Sequence, residues 1–265
     1  MKGGANAMVK INIEKITREN ITDLAGVYGE VFRGFPWYED MVCSGVRMPI
    51  GSPERCSVQY TNRTLPQNYQ ERLNSDKREW VVGETSSKVK DCVVCGRDLI
   101  RFYPDFIDQR VLIKEATEKK GFIGYMLREE DNPIGFSWGY RIPSKRTSSV
   151  NFPLIVPELV SRGINPETTF YGAELGVIEE RQRQGLGLLA STVRLEEARR
   201  RDYQSFLVRT KNEAVLAILR RIFSGKREVY LFDDPERKTP LFKWEFADFD
   251  LGEVERIINS FGSKE

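Results

Sequence analysis

The feature that most constrains this chain is a strand that leads through a polar loop into a helix opening with two glycines. Residues 169–178 read TFYGAELGVI, which predicts a strand, and residues 188–201 predict a helix. Gly185 and Gly187 lie between the two elements. Glycine lets the backbone approach an anion closely, and the unpaired N–H groups of a helix's first turn, with the helix dipole behind them, point toward it. The segment therefore predicts a phosphate-binding loop.

Two other interpretations of this loop are open. It is a connection without a ligand in the first, since short glycine motifs occur by chance. In the second it is a dinucleotide site, because GLGLLA fits the pattern G-x-G-x-x-A. Against that site, the polar residues 179–184 separate the strand from the glycines, and the next strand runs into Arg209 instead of an acidic residue. The second interpretation is therefore disfavoured.

Residues 174–187, ELGVIEERQRQGLG, resemble the central motif of the GNAT superfamily of N-acetyltransferases. In that motif a strand E-L-x-V precedes a short loop and the pattern Q/R-x-x-G-x-G/A. Gln182 takes the Q/R position here, and Gly185 and Gly187 take the two glycine positions. The resemblance extends to a second motif, in which residues 205–209 form a strand and Asn212 opens the next helix. It covers most of the chain except residues 40–100.

The resemblance implies that acetyl-CoA is the co-substrate. It places the pantetheine arm along the strand, with Gly176 suited to a β-bulge, and the pyrophosphate on N–H groups of residues 183–188. A backbone N–H near Val177 would stabilise the oxyanion. The implied cofactor-binding residues are Leu175, Gly176, Val177, Gln182, Arg183, Gln184, Gly185, Leu186, Gly187, Leu188 and Asn212.

The resemblance also implies direct transfer through a ternary complex, with Glu174 as the base that deprotonates an amine. The alternative for Glu174 is a solvated strand glutamate. The tyrosine that the family often places seven residues after the helix-opening asparagine, as general acid, is Leu219 here. Tyr230 is the expected substitute, with Tyr171 or solvent as alternatives. The chain has no histidine, which excludes Ser-His-Asp and Cys-His catalysis.

The four cysteines predict a structural zinc site. Cys43 and Cys56 are separated by twelve residues, and Cys92 and Cys95 form a C-x-x-C turn followed by glycine. Such a turn places two thiolates on one side of a tight loop, and without histidine a tetrahedral site needs all four cysteines. Four unrelated reduced thiols are the alternative, and redox chemistry at the C-x-x-C turn is a smaller possibility. Four thiolates leave no open position for catalysis.

The order of predicted elements indicates an α+β fold. We expect a GNAT-like, mixed and mostly antiparallel sheet with helices on both faces, plus an irregular zinc-ribbon-like insertion. The acetyltransferase domain is predicted over residues 8–265, with the insertion at residues 40–100 and a flexible tail at residues 1–7. Asn20 is expected to cap the first helix, a proline-containing loop to precede residue 169, and a strand pair to close the domain. Trp37, Tyr38 and Glu39 are candidates for the acceptor cleft.

Composition limits the partners. The net charge of +2 does not fit a dedicated nucleic-acid binder. No apolar run approaches the roughly 20 residues that span a bilayer, and the N-terminus lacks an apolar signal core. We therefore expect a cytoplasmic enzyme that acetylates a small-molecule or peptide amine, with a homodimer as one candidate assembly. The main alternative is a non-catalytic acyl-CoA-binding or protein-interaction module carrying a zinc knuckle.

Overall fold

The computed structural model describes residues 10–33, 41–49, 51–56, 59–61, 80–82, 92, 94–101, 108–143, 147, 150–236 and 238–261. The chain divides into two compact units, one of Met1–Val27 with Leu112–Glu265 and the other of Tyr28–Val111. The predicted bounds of the domain and its insertion stay predictions. The tail at residues 1–7 and the aromatic segment at residues 35–39 lie outside the described residues.

Strands are numbered in chain order through both units. The larger unit contains β1 (Ile11–Lys15), β6 (Ile123–Glu129), β7 (Asn132–Arg141), β8 (Thr169–Val177), β9 (Ser205–Arg209), β10 (Val229–Asp233) and β11 (Pro240–Glu245). They form one sheet in the order β1-β6-β7-β8-β9-β11-β10. Neighbours pair antiparallel except β8 and β9, which are parallel. The predicted mixed, mostly antiparallel sheet is confirmed.

The smaller unit contains short strands. These are β2 (Met41–Cys43), β3 (Gln59–Thr61), β4 (Trp80–Val82) and β5 (Leu99–Arg101). Their order is β4-β3-β2-β5, and the β3–β4 pair is parallel. Such short strands show little apolar periodicity, which explains why the sequence predicts only irregular structure here.

The helices are α1 (Ile21–Arg33), α2 (Gln109–Thr117), α3 (Phe152–Ser161), α4 (Leu186–Arg200), α5 (Glu213–Ile222) and α6 (Leu251–Ser260). No helix in the described ranges combines the length and the apolar character that crossing a membrane requires.

The large sheet is covered by helices on both faces, as predicted. On one face, Leu189 of α4, Leu219 of α5 and Ile257 of α6 join a buried cluster with Phe170 and Phe206. On the other face, three side chains of α3 pack with Tyr140, Tyr171 and Leu207; they are Phe152, Ile155 and Leu159. Each large apolar side chain buried in this way contributes about 1.5–3 kcal/mol. The two layers hold β8 and β9, which carry the candidate site, in the middle of the sheet.

Two elements correct the sequence prediction. Helix α3 occupies the stretch that was expected to be a loop. One of its prolines lies in the first turn, where no backbone N–H is needed for a helical hydrogen bond, and Pro157 lies inside the helix. Helix α6 follows the strand pair that was expected to close the domain, and the Asp250 side chain caps it by accepting from the Glu253 N–H at 2.9 Å.

Asn20 is a further correction. Its side chain turns back toward β1, accepting from the Thr17 N–H and donating to the Glu14 carboxylate and the Lys15 carbonyl. It therefore fixes the β1–α1 connection and does not cap the helix.

Candidate active site and metal centre

The predicted pantetheine-binding residues lie where β8 extends beyond β9. Parallel pairing runs from Thr169 opposite Ser205 to Gly172 opposite Val208. Strand β8 continues to Val177, which still pairs with Gly135 of β7. On the edge of β8 that faces β9, residues 173–177 extend past Gly172, the last residue that pairs with β9. Leu175, Gly176 and Val177 belong to this stretch, so their backbone lies beside an opening between two parallel strands.

The bulge in β8 is at Ala173 and not at Gly176. The β7–β8 register shifts between Trp138, which faces Glu174, and Gly139, which faces Gly172. Ala173 is the extra residue, whereas Gly176 pairs regularly with Phe136. A bulge bends and twists its strand, and this one directly follows the last residue that β8 pairs with β9. The bulge therefore lies where the two strands part.

The loop after β8 has a backbone shaped for the start of α4. Gly185 precedes the helix with a φ of 81°, and Arg183 also has a positive φ, of 62°. A Cβ on Gly185 would lie 3.0 Å from Cζ of Phe261, so this position requires glycine for its conformation and its space. The same atom on Gly187 would meet Ile218 at 3.4 Å, an ordinary contact.

The first turn of α4 has N–H groups that the helix itself does not use. The first i→i−4 bond runs from the Leu189 N–H to the Gly185 carbonyl, at 3.0 Å. The N–H groups of Leu186, Gly187 and Leu188 precede it and lie at the positive end of the helix dipole. Gln182 closes the loop by donating from Nε2 to the Val177 carbonyl at 3.1 Å. The strand edge and the helix N-terminus are thus joined by one short, hydrogen-bonded connection, to which Gln184 adds a bond to the Glu180 carbonyl.

Two arginines of the loop differ in their surroundings. Arg181 pairs with Glu129, with 2.6 Å between Nη2 and Oε2, and this hydrogen bond raises the pKa of Arg181. Arg183 is exposed. Glu129 therefore balances the Arg181 charge, whereas the exposed Arg183 has no carboxylate partner among the described residues.

Glu174 lies among tyrosines on the α3 face of the sheet. The pKa of Tyr171 is raised to about 12, mainly by burial, and repulsion from the Glu174 carboxylate is part of that rise. The pKa of Tyr140 is raised by burial and by repulsion from Tyr171 and Glu174. Glu174 itself is half-buried. A carboxylate and two phenols therefore share the face of β7 and β8 beside the opening.

A buried ion pair supports this face. Arg209, the last residue of β9, donates from Nη1 to Oδ2 of Asp234 at 2.6 Å, and its positive charge opposes the rise in the pKa of Tyr171. Neither Asp234 nor this use of Arg209 was predicted from the sequence. The sequence feature that could have indicated this pair is weak, because it is only the charged Arg209 at the end of the otherwise mostly apolar strand β9.

The structure does not bring Tyr230 to Glu174. Tyr230 is 55% exposed on the edge strand β10, and β9 and β11 lie between that strand and β8. Tyr171 is three residues from Glu174 on the same strand. Leu219, at the position where the family often has a tyrosine, is buried in the core. Asn212 caps α5 by accepting from the Ala214 N–H at 2.9 Å, which gives it a structural function independent of any ligand.

The four cysteines of the smaller unit meet at one point. All four sulfur atoms lie within 4.8 Å of one another. The Cys43 and Cys95 sulfurs are 3.3 Å apart, and those of Cys56 and Cys92 are 3.6 Å apart. Four sulfurs around zinc, at bond lengths of about 2.3 Å, lie roughly 3.8 Å from each other. The cluster therefore has the ligand number and the spacing of a tetrahedral thiolate site.

The backbone around the cysteines forms two tight turns. The Gly45 N–H points at the Cys43 sulfur at 3.4 Å, and the Gly96 N–H donates to the Cys92 carbonyl at 2.7 Å. Gly96 has a φ of 69°. Arg97 connects the second turn to the segment before Cys56 by donating to the backbone carbonyl and the carboxylate of Glu54. Burial and neighbouring thiols raise the pKa of Cys43, so this thiol favours its protonated form when no cation is bound.

Comparisons with known proteins find similar structures but no family model and no curated protein that matches. The PaiA N-acetyltransferase from Thermoplasma acidophilum, in complex with coenzyme A, is 9% identical with a TM-score of 0.42, covering 89% of this chain and 98% of that one. An acetyltransferase from Thermus thermophilus is 10% identical, with a TM-score of 0.42 and coverages of 90% and 98%. The ribosomal-protein-alanine N-acetyltransferase from Brucella melitensis is 11% identical, with a TM-score of 0.38 and coverages of 88% and 96%.

These likenesses, all with TM-scores below 0.5, assign no chemistry to this chain, and the chemistry of the site depends on its own strands, loop and side chains.

Proposed function

We propose that this chain is an acyltransferase that binds acetyl-CoA between β8 and β9 and transfers the acetyl group to an amine. One observation carries the proposal: the free edge of β8 leads directly into the unused N–H groups of α4. An extended ligand with amides at one end and phosphates at the other matches that sequence of backbone donors and acceptors.

Each part of the site would have a distinct function in binding or catalysis. The backbone of Leu175, Gly176 and Val177 pairs with the amides of the pantetheine arm, and the first turn of α4 holds the pyrophosphate. The thioester supplies an activated acetyl group. The Val177 N–H donates to the carbonyl oxygen as it becomes negative. Glu174 accepts the proton of the attacking amine, directly or through water.

The leaving sulfur needs stabilisation when the carbon–sulfur bond breaks and the new carbon–nitrogen bond forms. Tyr171, with a pKa of about 12, holds its proton at neutral pH. A thiol has an ordinary pKa of about 8.5, so complete transfer from Tyr171 to the thiolate is uphill. We therefore assign Tyr171 as a hydrogen-bond donor to the sulfur, and solvent as the source of the proton. Tyr230 has no place in this scheme.

Calorimetry and a transfer assay test the proposal together. Calorimetry should show that the chain binds CoA and acetyl-CoA. In the transfer assay, the loss of thioester absorbance should show that acetyl-CoA is consumed with at least one acceptor from a panel of small amines and peptide N-termini. Glu174→Gln, which keeps the shape and removes the base, should retain acetyl-CoA binding and lose about 10²–10⁴-fold in kcat. An absence of CoA binding would overturn the proposal.

A non-catalytic acyl-CoA-binding module is the second candidate, because Leu219 places a core side chain at the position of the family's tyrosine. It predicts CoA binding with no turnover of any acceptor. Glu174→Gln would then change neither binding nor the slow hydrolysis of acetyl-CoA.

We also propose that the four-cysteine cluster holds a structural zinc ion and that the protein works in a reducing compartment such as the cytoplasm, where thiolates stay unoxidised. Cys43, Cys56, Cys92 and Cys95 supply four ligands and close the coordination sphere. Metal analysis of protein purified without chelator should give one zinc per chain. Zinc well below that ratio, with four titratable thiols, would favour the alternative of unrelated reduced cysteines.

A further inference from the structure

Helix α4 carries a buried arginine that the proposed chemistry does not use. Arg194 is 3% exposed, and no carboxylate in the described part of the chain pairs with it. Its Nη1 donates to two backbone carbonyls, those of Trp138 at 2.9 Å and Glu174 at 3.2 Å. Its Nε has no hydrogen-bond partner in the described residues. Burial lowers the pKa of Arg194 to about 9, which shows how unfavourable the site is for a charge.

The two acceptors are residues that face each other across the bulge. Trp138 and Glu174 form the last β7–β8 pair before the register shifts past Ala173. A bulge disrupts the regular hydrogen bonds of a ladder and leaves backbone groups to find other partners. Arg194 therefore bridges β7 and β8 with one nitrogen atom at the place where their regular pairing is interrupted.

The absence of a side chain at Gly172 leaves space for the Phe206 ring and the Arg194 guanidinium. A Cβ on Gly172 would lie 2.7 Å from Cζ of Phe206 and 3.4 Å from Nη2 of Arg194. The guanidinium carbon lies 5.7 Å from the centre of the Phe206 ring, a cation–π distance. Gly172 is also the last residue that β8 pairs with β9. The buried charge is therefore located at the point where the two parallel strands part.

A role in packing alone does not explain an arginine here. Three of the residues one turn away from it on α4 are small and almost completely buried, namely Ala190, Ser191 and Ala198. A methionine would fill similar space without the desolvation that a buried ion undergoes, and replacing buried ions by apolar residues is often neutral or stabilising. What methionine would not provide is a donor for the two carbonyls of the bulge.

We infer that Arg194 is a positioning residue that fixes the bulge by holding the carbonyls of Trp138 and Glu174. The bulge sets the direction of β8 beyond Gly172. Arg194 thereby positions the Glu174 carboxylate and the strand edge at residues 175–177. This inference rests on the proposed function for its catalytic consequence. Its structural half, control of the bulge, stands independently of it.

Backbone hydrogen exchange tests the structural half without any substrate. Arg194→Met should speed exchange in peptides covering residues 173–177 by at least tenfold, while peptides of β6 and β11 keep their wild-type rates. Arg200→Met is the matched control, because Arg200 is exposed on the same helix and pairs with Glu196. Unchanged exchange at residues 173–177 in folded Arg194→Met protein would overturn the inference.

The pH dependence of turnover tests the catalytic half, with acetyl-CoA and the first amine that the wild type acetylates. Arg194→Met should lose about 30–100-fold in kcat and less than threefold in KM for acetyl-CoA. Arg194→Lys should recover activity at low pH only, because burial lowers the pKa of a lysine and the amine donates best when charged. Its rate relative to wild type should fall about tenfold between pH 6 and 9.

The outcomes separate the two ideas. A ratio of Arg194→Lys to wild type that stays constant with pH, together with an active Arg194→Met variant, would contradict the positioning role. Wild-type protein that fails to bind CoA would contradict the proposed function, while the exchange experiment would still decide whether Arg194 controls the bulge. If Arg194→Met does not fold, the exchange of Arg194→Lys at pH 6 and pH 9 decides instead.

Discussion

Arg209 and Asp234 form a buried ion pair in which 2.6 Å separates Nη1 from Oδ2, with side chains only 12% and 2% exposed. The pair connects the end of β9 to the turn after β10, where the Asp234 N–H donates to the Thr239 carbonyl. Because the charges of Arg209 and Asp234 also act on the pKa of Tyr171, in opposite directions, the pair and the phenol beside Glu174 are electrostatically coupled.

Removal of one member of this pair should be strongly destabilising. Asp234→Ala leaves the Arg209 guanidinium buried without a counter-charge, which costs about 3–5 kcal/mol in the free energy of unfolding. Urea denaturation measures this loss. The double variant Arg209→Met with Asp234→Leu should recover most of the stability, since no charge is then left unpaired. A loss below about 1 kcal/mol in Asp234→Ala would show that the guanidinium finds solvent.

Tyr171→Phe should lower turnover without weakening acetyl-CoA binding. The ring and its packing remain, whereas the donor proposed for the leaving sulfur is lost, so kcat should fall about 10–100-fold. Calorimetry should give an unchanged Kd for acetyl-CoA. Tyr230→Phe is the matched control, because Tyr230 lies on the exposed edge strand, and it should keep wild-type kinetics. Equal effects of the two substitutions would contradict the assignment of Tyr171.

The two loop glycines should differ in their tolerance of alanine. Gly185→Ala forces a Cβ into a left-handed conformation and toward Phe261 at 3.0 Å, with a conformational cost of about 1–2 kcal/mol. Affinity for CoA should fall at least tenfold. Gly187→Ala meets only an ordinary contact, so its stability should change little. Thermal unfolding and calorimetry on both variants decide, and a reversed order would contradict the proposed geometry of the loop.

Zinc binding should weaken as the pH falls. The cation binds thiolates, whereas burial and neighbouring thiols raise the pKa of Cys43, so protons must leave when the metal enters. The apparent affinity, measured by competition with a chromophoric chelator between pH 6 and 8, should rise with pH, and titration should release protons. Cys95→Ser should weaken binding markedly, with Ser44→Ala as control. Affinity independent of pH would contradict a four-thiolate site.

Local pattern was enough to predict the central part of the site. Strand β8, the loop and α4 follow one another in sequence, so their spacing and the glycines already describe the phosphate-binding turn. The Asn212 cap is local as well. The sheet order required more, yet alternating strands and helices gave the correct mixed architecture.

Contacts between distant residues could not be predicted in the same way. Asp234 reaches Arg209 only because β11 inserts between β9 and β10, and Arg194 reaches Glu174 only because of a bulge at Ala173. The bulge was expected at Gly176, since conformational freedom suggested it, but the pairing of β7 with β8 decides the register. Tyr230 follows α5 closely in sequence, yet the intervening strands β9 and β11 place it away from Glu174. Helix α3 was not predicted because its sequence contains prolines, which destabilise a helix interior. In the folded protein, tertiary packing offsets that free-energy cost.

The contact between Phe261 and Gly185 makes the C-terminal end of α6 a neighbour of the phosphate-binding loop, although neither sequence motif includes it. By thermodynamic linkage, a ligand that orders this loop must also favour the docked position of α6, to the same extent that docking of α6 favours the ligand. Truncation before Phe261 should therefore appear as a loss of CoA affinity. If the proposed function holds, we therefore expect the terminal helix to contribute to cofactor retention from outside the two motifs.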